Sequence, residues 1–151
     1  MSATIRAALR RQQLADLARA CAARPQEWTS LVRLNADGRW YERIHLGDGY
    51  DVWLISWLPG QATGYHDHGP SAGAFAVTWG VREEHHDASI RMVGAGGIRT
   101  FGPNFVHDVR NASAAPVVSV HAYSPPLTEM TRYDVTAEGL VARHTESVKD
   151  W

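Results

Sequence analysis

Two histidines stand two residues apart in "GYHDHG", Gly64 to Gly69. On an extended strand such residues point to one face, so His66 and His68 present two imidazoles side by side, with Asp67 turned away. Imidazoles at that spacing can chelate a divalent cation. Two satisfied or exposed histidines in a polar turn would read the same. A second stretch, "VSVHAYSPP" from Val118 to Pro126, carries Ser119, His121 and Tyr123 at alternate positions. Val118, Val120 and Ala122 fall on the opposite face. Such a polar row either meets solvent on an edge strand or lines a cavity.

The surrounding elements decide between these readings. From Ala3 to Ala22, Ile5, Leu9, Leu14, Leu17, Ala18 and Cys21 recur at helical spacing, and Arg24-Pro25 marks the stop. Cys21 is expected to pack this helix onto the body. A second short helix is expected over Gln26 to Leu34, ending in the turn signal Asn35-Ala36-Asp37-Gly38. Beyond Gly38 the chain turns to short runs rich in Val, Ile, Trp, Tyr and Thr, separated by Gly, Pro, Asn and Asp, as in an all-β sandwich or barrel. Strands are expected at 40–44, 50–57, 64–68, 72–81, 88–93, 98–101, 106–111, 117–123, 132–135 and 140–143. The expected architecture is mainly all-β, a small β-barrel with the two helices over one end. It forms a single domain: a helical segment 1–37, the barrel 38–143 and a loose tail 144–151.

Composition narrows the partners. At 151 residues the chain suits one domain burying about 70% of its unfolded surface. It is 44% hydrophobic and 21% charged, within the ordinary globular range. Its 15 basic and 16 acidic residues nearly cancel, so there is no field to attract nucleic acid or an anionic membrane. A small neutral or zwitterionic ligand fits better. Cys21 is the only cysteine, which excludes an intrachain disulfide. The start lacks the apolar run of a signal peptide and no stretch is long enough to span a membrane, so a cytoplasmic monomer or small homo-oligomer is expected.

The flanks of the histidine pair resemble a known pattern. Gly60 lies six residues before His66 and Gly80 twelve after His68, as the glycines of the first cupin motif do. Gly96, Gly102, His107 and Asn111 reproduce the spacing of the second motif, whose histidine is the remaining ligand. Where the first motif carries a glutamate ligand this chain has Ala72 and Gly73. Asn104 replaces a glycine, and asparagine tolerates the left-handed conformation such a glycine often marks.

Together with "YHDH", "SVHAYSPP" resembles the cysteine dioxygenase family of thiol dioxygenases, over about Trp40 to Leu127. The resemblance implies a small cupin, a jelly-roll barrel, holding Fe(II) through three histidines and converting a thiol to a sulfinic acid with dioxygen. It places His66, His68 and His107 on the iron ligands and Ser119, His121 and Tyr123 on the catalytic row behind them. Tyr41 and Arg43 of "YER" fall on the residues that hold the substrate carboxylate, with a gap of three residues before Trp57. Arginine there favours L-cysteine, since the 3-mercaptopropionate enzymes of the family typically carry glutamine. Gly73 stands where mammalian-type members have a cysteine cross-linked to the tyrosine, as it does in bacterial members. Three neutral imidazoles with no anionic ligand leave a metal its full charge and open positions, which suits direct binding of an anionic substrate. Ligand type alone does not choose iron, because zinc, copper and nickel also accept imidazole.

Other features carry less. His85 and His86 follow Arg82-Glu83-Glu84 in an expected hairpin turn as an exposed polar pair, and His45 and His144 are assigned no role. Trp53, Trp57 and Trp79 are expected in the core, where one could wall a pocket. The alternatives are dioxygenation of another small thiol, such as 3-mercaptopropionate or cysteamine, and a metal-binding cupin without catalysis or with hydrolase or isomerase chemistry.

Overall fold

The computed structural model describes residues 8–150. Their strands are β1 (Trp40–Leu46), β2 (Asp51–Trp57), β3 (Ala72–Trp79), β4 (Val81–His86), β5 (Ser89–Gly94), β6 (Ile98–Phe101), β7 (Asp108–Arg110), β8 (Val117–Ser124), β9 (Glu129–Thr136) and β10 (Gly139–Ser147). One layer is a five-stranded antiparallel sheet in the order β1-β2-β8-β3-β6. The other combines β5-β4-β7 with the hairpin β9-β10. The extended segment 62–68 joins its halves: Ala62 bridges to Arg110, and His66 bridges to both His107 and Arg132. The outcome is the expected jelly-roll arrangement, with layers that do not close into one hydrogen-bonded barrel.

Strand alternation splits the core in two. On β3, Ala72, Ala74 and Ala76 face one way and Phe75 and Val77 the other; on β8, Val118, Val120 and Ala122 face away from Ser119, His121 and Tyr123. The small outward residues let the helix α1 (Arg11–Ala22) lie close, with Leu14, Ala15 and Ala18 buried against them. Trp28 closes this layer and donates from Nε1 to the carbonyl of Cys21 at 2.9 Å, which also accepts from the Arg24 N–H at the helix end. Cys21 packs partly buried on the same cluster. The inner faces enclose Trp53, Trp57, Phe75, Phe101, Val109 and Met130 between the layers, and the candidate site is built there. No helix among the described residues is long and apolar enough to cross a membrane.

Several expected boundaries move for local reasons. Residues 3–7 of the expected first helix lie outside the described residues, and 8–10 are not helical, because Leu9 donates its N–H to Ser124 Oγ at 2.8 Å and Arg10 stays extended. The expected helix 26–34 is instead two 3-10 turns, Pro25–Glu27 and Thr29–Leu31, separated by Trp28 at φ −133°. The helix covers a sheet face, not a barrel end. The expected strand 72–81 breaks at Gly80, whose φ is +77° and whose place would put a Cβ 2.4 Å from the carbonyl oxygen of Pro116. The tail is not loose up to residue 150. Strand β10 continues to Ser147, paired with Glu129, and the turn Val148–Asp150 follows, tied by the Val148 N–H to the Thr128 carbonyl at 2.9 Å.

Candidate metal centre

His66 and His107 meet because their backbones exchange two hydrogen bonds, each 3.0 Å. The segment 64–68 is not a regular strand, since Gly64 and Gly69 at φ +73° and +56° turn it at both ends. Asp67 holds it from below: its Oδ1 accepts from the Gly69 N–H at 2.9 Å and its Oδ2 from the Tyr133 hydroxyl at 2.6 Å. His66 and His68 therefore share a face as the alternation requires. Ring centroids of His66, His68 and His107 lie 4.8, 4.8 and 5.2 Å apart, and one nitrogen from each falls within 4.8 Å of the others. All three side chains are buried.

Hydrogen bonds assign the ring protons. His66 Nδ1 lies 2.8 Å from the Gly64 carbonyl and His107 Nδ1 lies 2.9 Å from Glu84 Oε2. Both partners only accept, so each Nδ1 donates and each Nε2 keeps a lone pair. His68 Nδ1 is buried with no partner among the described residues, while its ring stacks on Phe101 at 4.8 Å. Burial pushes His66 and His68 well below the ordinary histidine range, with His68 and His107 adding to this at His66, and His107 at His68. Burial lowers His107 too, against the opposing pull of Glu84. Burial alone would raise Glu84, but hydrogen bonds from His107 and Arg99 hold it down at about 2. Three converging neutral imidazoles, one with an unpartnered nitrogen and one oriented by a carboxylate behind it, fit a divalent transition metal. The donor set suits iron, and equally zinc, copper or nickel.

These histidines open into a cavity of about 100 Å³, also lined by Trp53, Trp57, Tyr41 and Tyr123. Strand β8 is central in its sheet, so the polar row is buried and is not a wet edge, with His121 and Tyr123 lining this cavity and Ser119 buried beside them. Ser119 Oγ lies 2.7 Å from His121 Nε2, and the Tyr123 hydroxyl lies 3.4 Å from His121 Nδ1. Burial pushes the Tyr123 phenol up, so it keeps its proton. Burial pushes His121 well below its ordinary value, with Arg82 adding to the effect.

Tyr41 reaches the cavity, but Arg43 is not among the residues lining it. A bulge follows Arg43 on β1, and its guanidinium lies 5.4 Å from the Trp53 ring centroid and 3.7 Å from Asp51 Oδ2. Asp51 is fully buried and needs that cation. Its Oδ2 accepts from Trp53 Nε1 at 2.9 Å and the Leu127 N–H at 3.1 Å, while Oδ1 has no partner among the described residues. Burial raises its carboxyl to about 6 despite these bonds. The native state therefore holds a proton that the unfolded chain releases near pH 4, so this group costs stability as pH rises from about 4 to 6. Asp51→Asn removes the cost. Its stability relative to the wild type is expected to rise by about 3 kcal/mol between pH 4 and 7 in denaturant titrations.

Residues with no role in the sequence reading complete the site. Arg39 and Arg132 line the cavity; Arg132 donates to the Thr63 carbonyl at 2.7 Å and pairs with Glu146 at 3.3 Å. Arg39 makes no hydrogen bond or ion pair among the described residues, and burial followed by repulsion from Arg132 lowers its guanidinium. Arg82 and Glu84 lie 1% and 3% exposed on β4, where a hairpin turn was expected. The turn falls at Asp87, φ +50°, and His85 and His86 are not a free polar pair. His85 pairs with Glu83 at 3.0 Å, and His86 donates to the Val106 carbonyl at 2.9 Å and stacks on Phe105 at 4.1 Å. The one available signal was parity, since Arg82, Glu84 and His86 share a face if "VREEHH" is a strand. Trp53 and Trp57 wall the cavity, whereas Trp79 is largely exposed.

Gly73 is filled by its neighbours. A Cβ there would sit 2.3 Å from Phe101 Cζ and 3.0 Å from Tyr123 Cδ1. Phe101 is buried and stacked on His68, so it has little room to yield. Gly73→Ala is expected to cost about 1–3 kcal/mol in thermal or denaturant unfolding, by overpacking. Asn104 has φ +61°, as expected for a residue in a glycine's place.

Solved structures share this architecture at low identity. A protein of Thermus thermophilus superposes with TM-score 0.60 and 22% identity, over 65% of this chain and 93% of that one. An uncharacterized conserved protein with a double-stranded β-helix domain from Klebsiella pneumoniae gives TM-score 0.60 and 20% identity, over 77% and 93%. A cupin superfamily protein from Desulfitobacterium hafniense gives 0.57 and 9%, over 64% and 86%. These likenesses establish the cupin fold. The family model described as cysteine dioxygenase type I matches residues 3–136, which include the histidine cluster and the Ser119, His121, Tyr123 row. A match of that extent, on a cupin frame that gathers those same side chains around one cavity, makes this chain a member of the cysteine dioxygenase type I family.

Proposed function

We propose that the protein is an iron(II)-dependent thiol dioxygenase that oxidises L-cysteine to cysteine sulfinic acid. The observation that carries this reading is one small cavity shared by three neutral imidazoles, by His121 and Tyr123 of a hydrogen-bonded Ser-His-Tyr row, and by an arginine without an ion pair among the described residues. The net reaction takes R–SH and dioxygen to R–SO₂H. Sulfur loses four electrons and dioxygen gains four, so no further reductant enters. His66, His68 and His107 hold the metal, and Glu84 fixes the His107 ring from behind. Iron supplies a Lewis acid that favours the thiolate and a redox centre for dioxygen.

The chain's own groups do the rest. Trp53, Trp57 and Val109 exclude water from the cavity, which strengthens its polar contacts. Arg39, two residues before Tyr41, provides the planar two-pronged contact a carboxylate takes. In this proposal the anchoring expected of Arg43 passes to Arg39, while Arg43 serves Asp51. Tyr123 presents a protonated hydroxyl to the bound substrate, held by His121 and Ser119 behind it.

Oxygen consumption by the iron(II)-loaded protein with L-cysteine, 3-mercaptopropionate and cysteamine tests the assignment. Cysteine is expected to be the best substrate and cysteamine, which lacks a carboxylate, the poorest. Arg39→Ala is expected to raise KM for cysteine by about 10-fold or more, a charge-assisted pair being worth about 1.5–3 kcal/mol. A normal KM in Arg39→Ala and a raised one in Arg43→Ala would return the anchor to Arg43. Equal rates with all three thiols would remove a carboxylate anchor altogether.

A further inference from the structure

Beside the Ser119, His121, Tyr123 row, in the wall of the same cavity, lies a charge that no role yet accounts for. Arg82 is 1% exposed, with its guanidinium 3.5 Å from the Phe75 ring centroid and 5.1 Å from that of Trp57. Its Nη1 donates to Ser119 Oγ at 3.2 Å and to His121 Nε2 at 3.2 Å, while its Nε has no partner among the described residues. Glu84, on the same strand, is already engaged by Arg99 and His107, at 3.1 and 2.9 Å. A buried arginine without a carboxylate in contact is costly, and two stacked rings offset that only in part. Packing alone would be served more cheaply by leucine or methionine.

We propose that Arg82 is a positioning residue that fixes the direction of the row, by forcing His121 to carry its proton on Nδ1. A guanidinium only donates, so both Ser119 Oγ and His121 Nε2 must accept from it. Ser119 then has one use for its own proton, the 2.7 Å contact to Nε2, whose single lone pair it shares with Arg82 in a three-centre bond. The imidazole proton is left on Nδ1, facing the Tyr123 hydroxyl at 3.4 Å. Tyr123 accepts from behind and keeps its O–H for the cavity. Polarity thus runs from Arg82 through Ser119 and His121 to the substrate side. Without Arg82 the chain of bonds can reverse, with His121 donating from Nε2 to Ser119 and accepting from Tyr123, which would turn the phenolic proton away from the substrate. Burial pulls the Arg82 guanidinium down to about 9, with Glu84 opposing, so it remains a cation at neutral pH.

The bond polarity stands independently of the substrate, while its catalytic consequence rests on the thiol dioxygenase reading. The direct test is the tautomer of His121 in the metal-free full-length protein, read from nitrogen-15 chemical shifts and long-range ring couplings, with the signal assigned by its loss in His121→Gln. The wild type is expected to show the Nδ1–H form. Ser119→Ala is expected to keep it, because Arg82 still donates to Nε2, whereas Arg82→Met is expected to show a mixture with Nε2–H. Arg82→Lys, donor-only and charged, is expected to restore the wild-type form. In oxygen uptake, Arg82→Met should lower kcat by about 10–100-fold with KM little changed. An Nε2–H wild type, a Ser119→Ala protein that switches tautomer, or a folded Arg82→Met protein with the wild-type tautomer would each overturn the proposal. The first two need no Arg82 variant, so they decide even if Arg82→Met fails to fold. A fixed Nδ1–H tautomer in a protein that oxidises no thiol would sink the functional reading and leave the role of Arg82 intact.

Discussion

His107→Ala is expected to purify folded and without metal. The backbone pair between His66 and His107 does not need the imidazole, so the segment 64–68 keeps its place. What goes is one of three converging nitrogens and the donor to Glu84. Glu84 retains Arg99 Nε at 3.1 Å, so the loss of one bond to a buried carboxylate should cost the metal-free protein about 1–3 kcal/mol. The effect on the metal is larger. Removing an outer partner of a metal-bound histidine weakens binding or activity about 10–100-fold, and removing the ligand itself should exceed that. Glu84→Gln provides the graded comparison, since glutamine keeps the shape but loses the charge that fixes the His107 ring. Metal content after dialysis, and the thermal shift on adding iron(II) anaerobically, should rank wild type above Glu84→Gln and Glu84→Gln above His107→Ala. Full metal content in His107→Ala would remove this residue from the centre.

Tyr123→Phe separates chemistry from metal binding. Its ring packs at 5.0 Å from His68 and lines the cavity, so phenylalanine keeps the packing and removes only the hydroxyl. Turnover should fall by about 10²–10⁴-fold, the range of a positioned proton donor, with iron content unchanged. His121→Ala should behave alike, because its nitrogens are occupied by Arg82, Ser119 and Tyr123 and not by the metal cluster. Loss of iron in His121→Ala would instead make His121 a ligand and break the division between the two histidine groups.

The parts legible in the sequence are those written in strand parity and turn chemistry. His66 with His68, and Ser119 with His121 and Tyr123, lie on common faces because alternate residues on extended chain must. Gly38 and Asn104 marked turns that the structure contains, whereas Gly80 breaks a strand that was expected to run through it. The charges behind the site were not legible. Arg82 and Glu84 in "VREEHH" look like a solvated turn, and only pairing with β7 and the opposing five-stranded sheet around β8 buries them. Arg39 and Arg43 illustrate the same limit. They flank Tyr41 at two residues on either side, yet a bulge and the buried Asp51 draw Arg43 aside and leave Arg39 facing the cavity. Helix ends were misplaced where a tertiary bond overrode periodicity, as with Leu9 held by Ser124.

The decisive measurement is the mass of the product formed from L-cysteine and oxygen-18 gas by the iron(II)-loaded protein. Thiol dioxygenation predicts cysteine sulfinate with both heavy atoms on sulfur, formed in step with oxygen consumed and lost in Tyr123→Phe. Cystine without incorporated label, or no product at full iron occupancy, would contradict it.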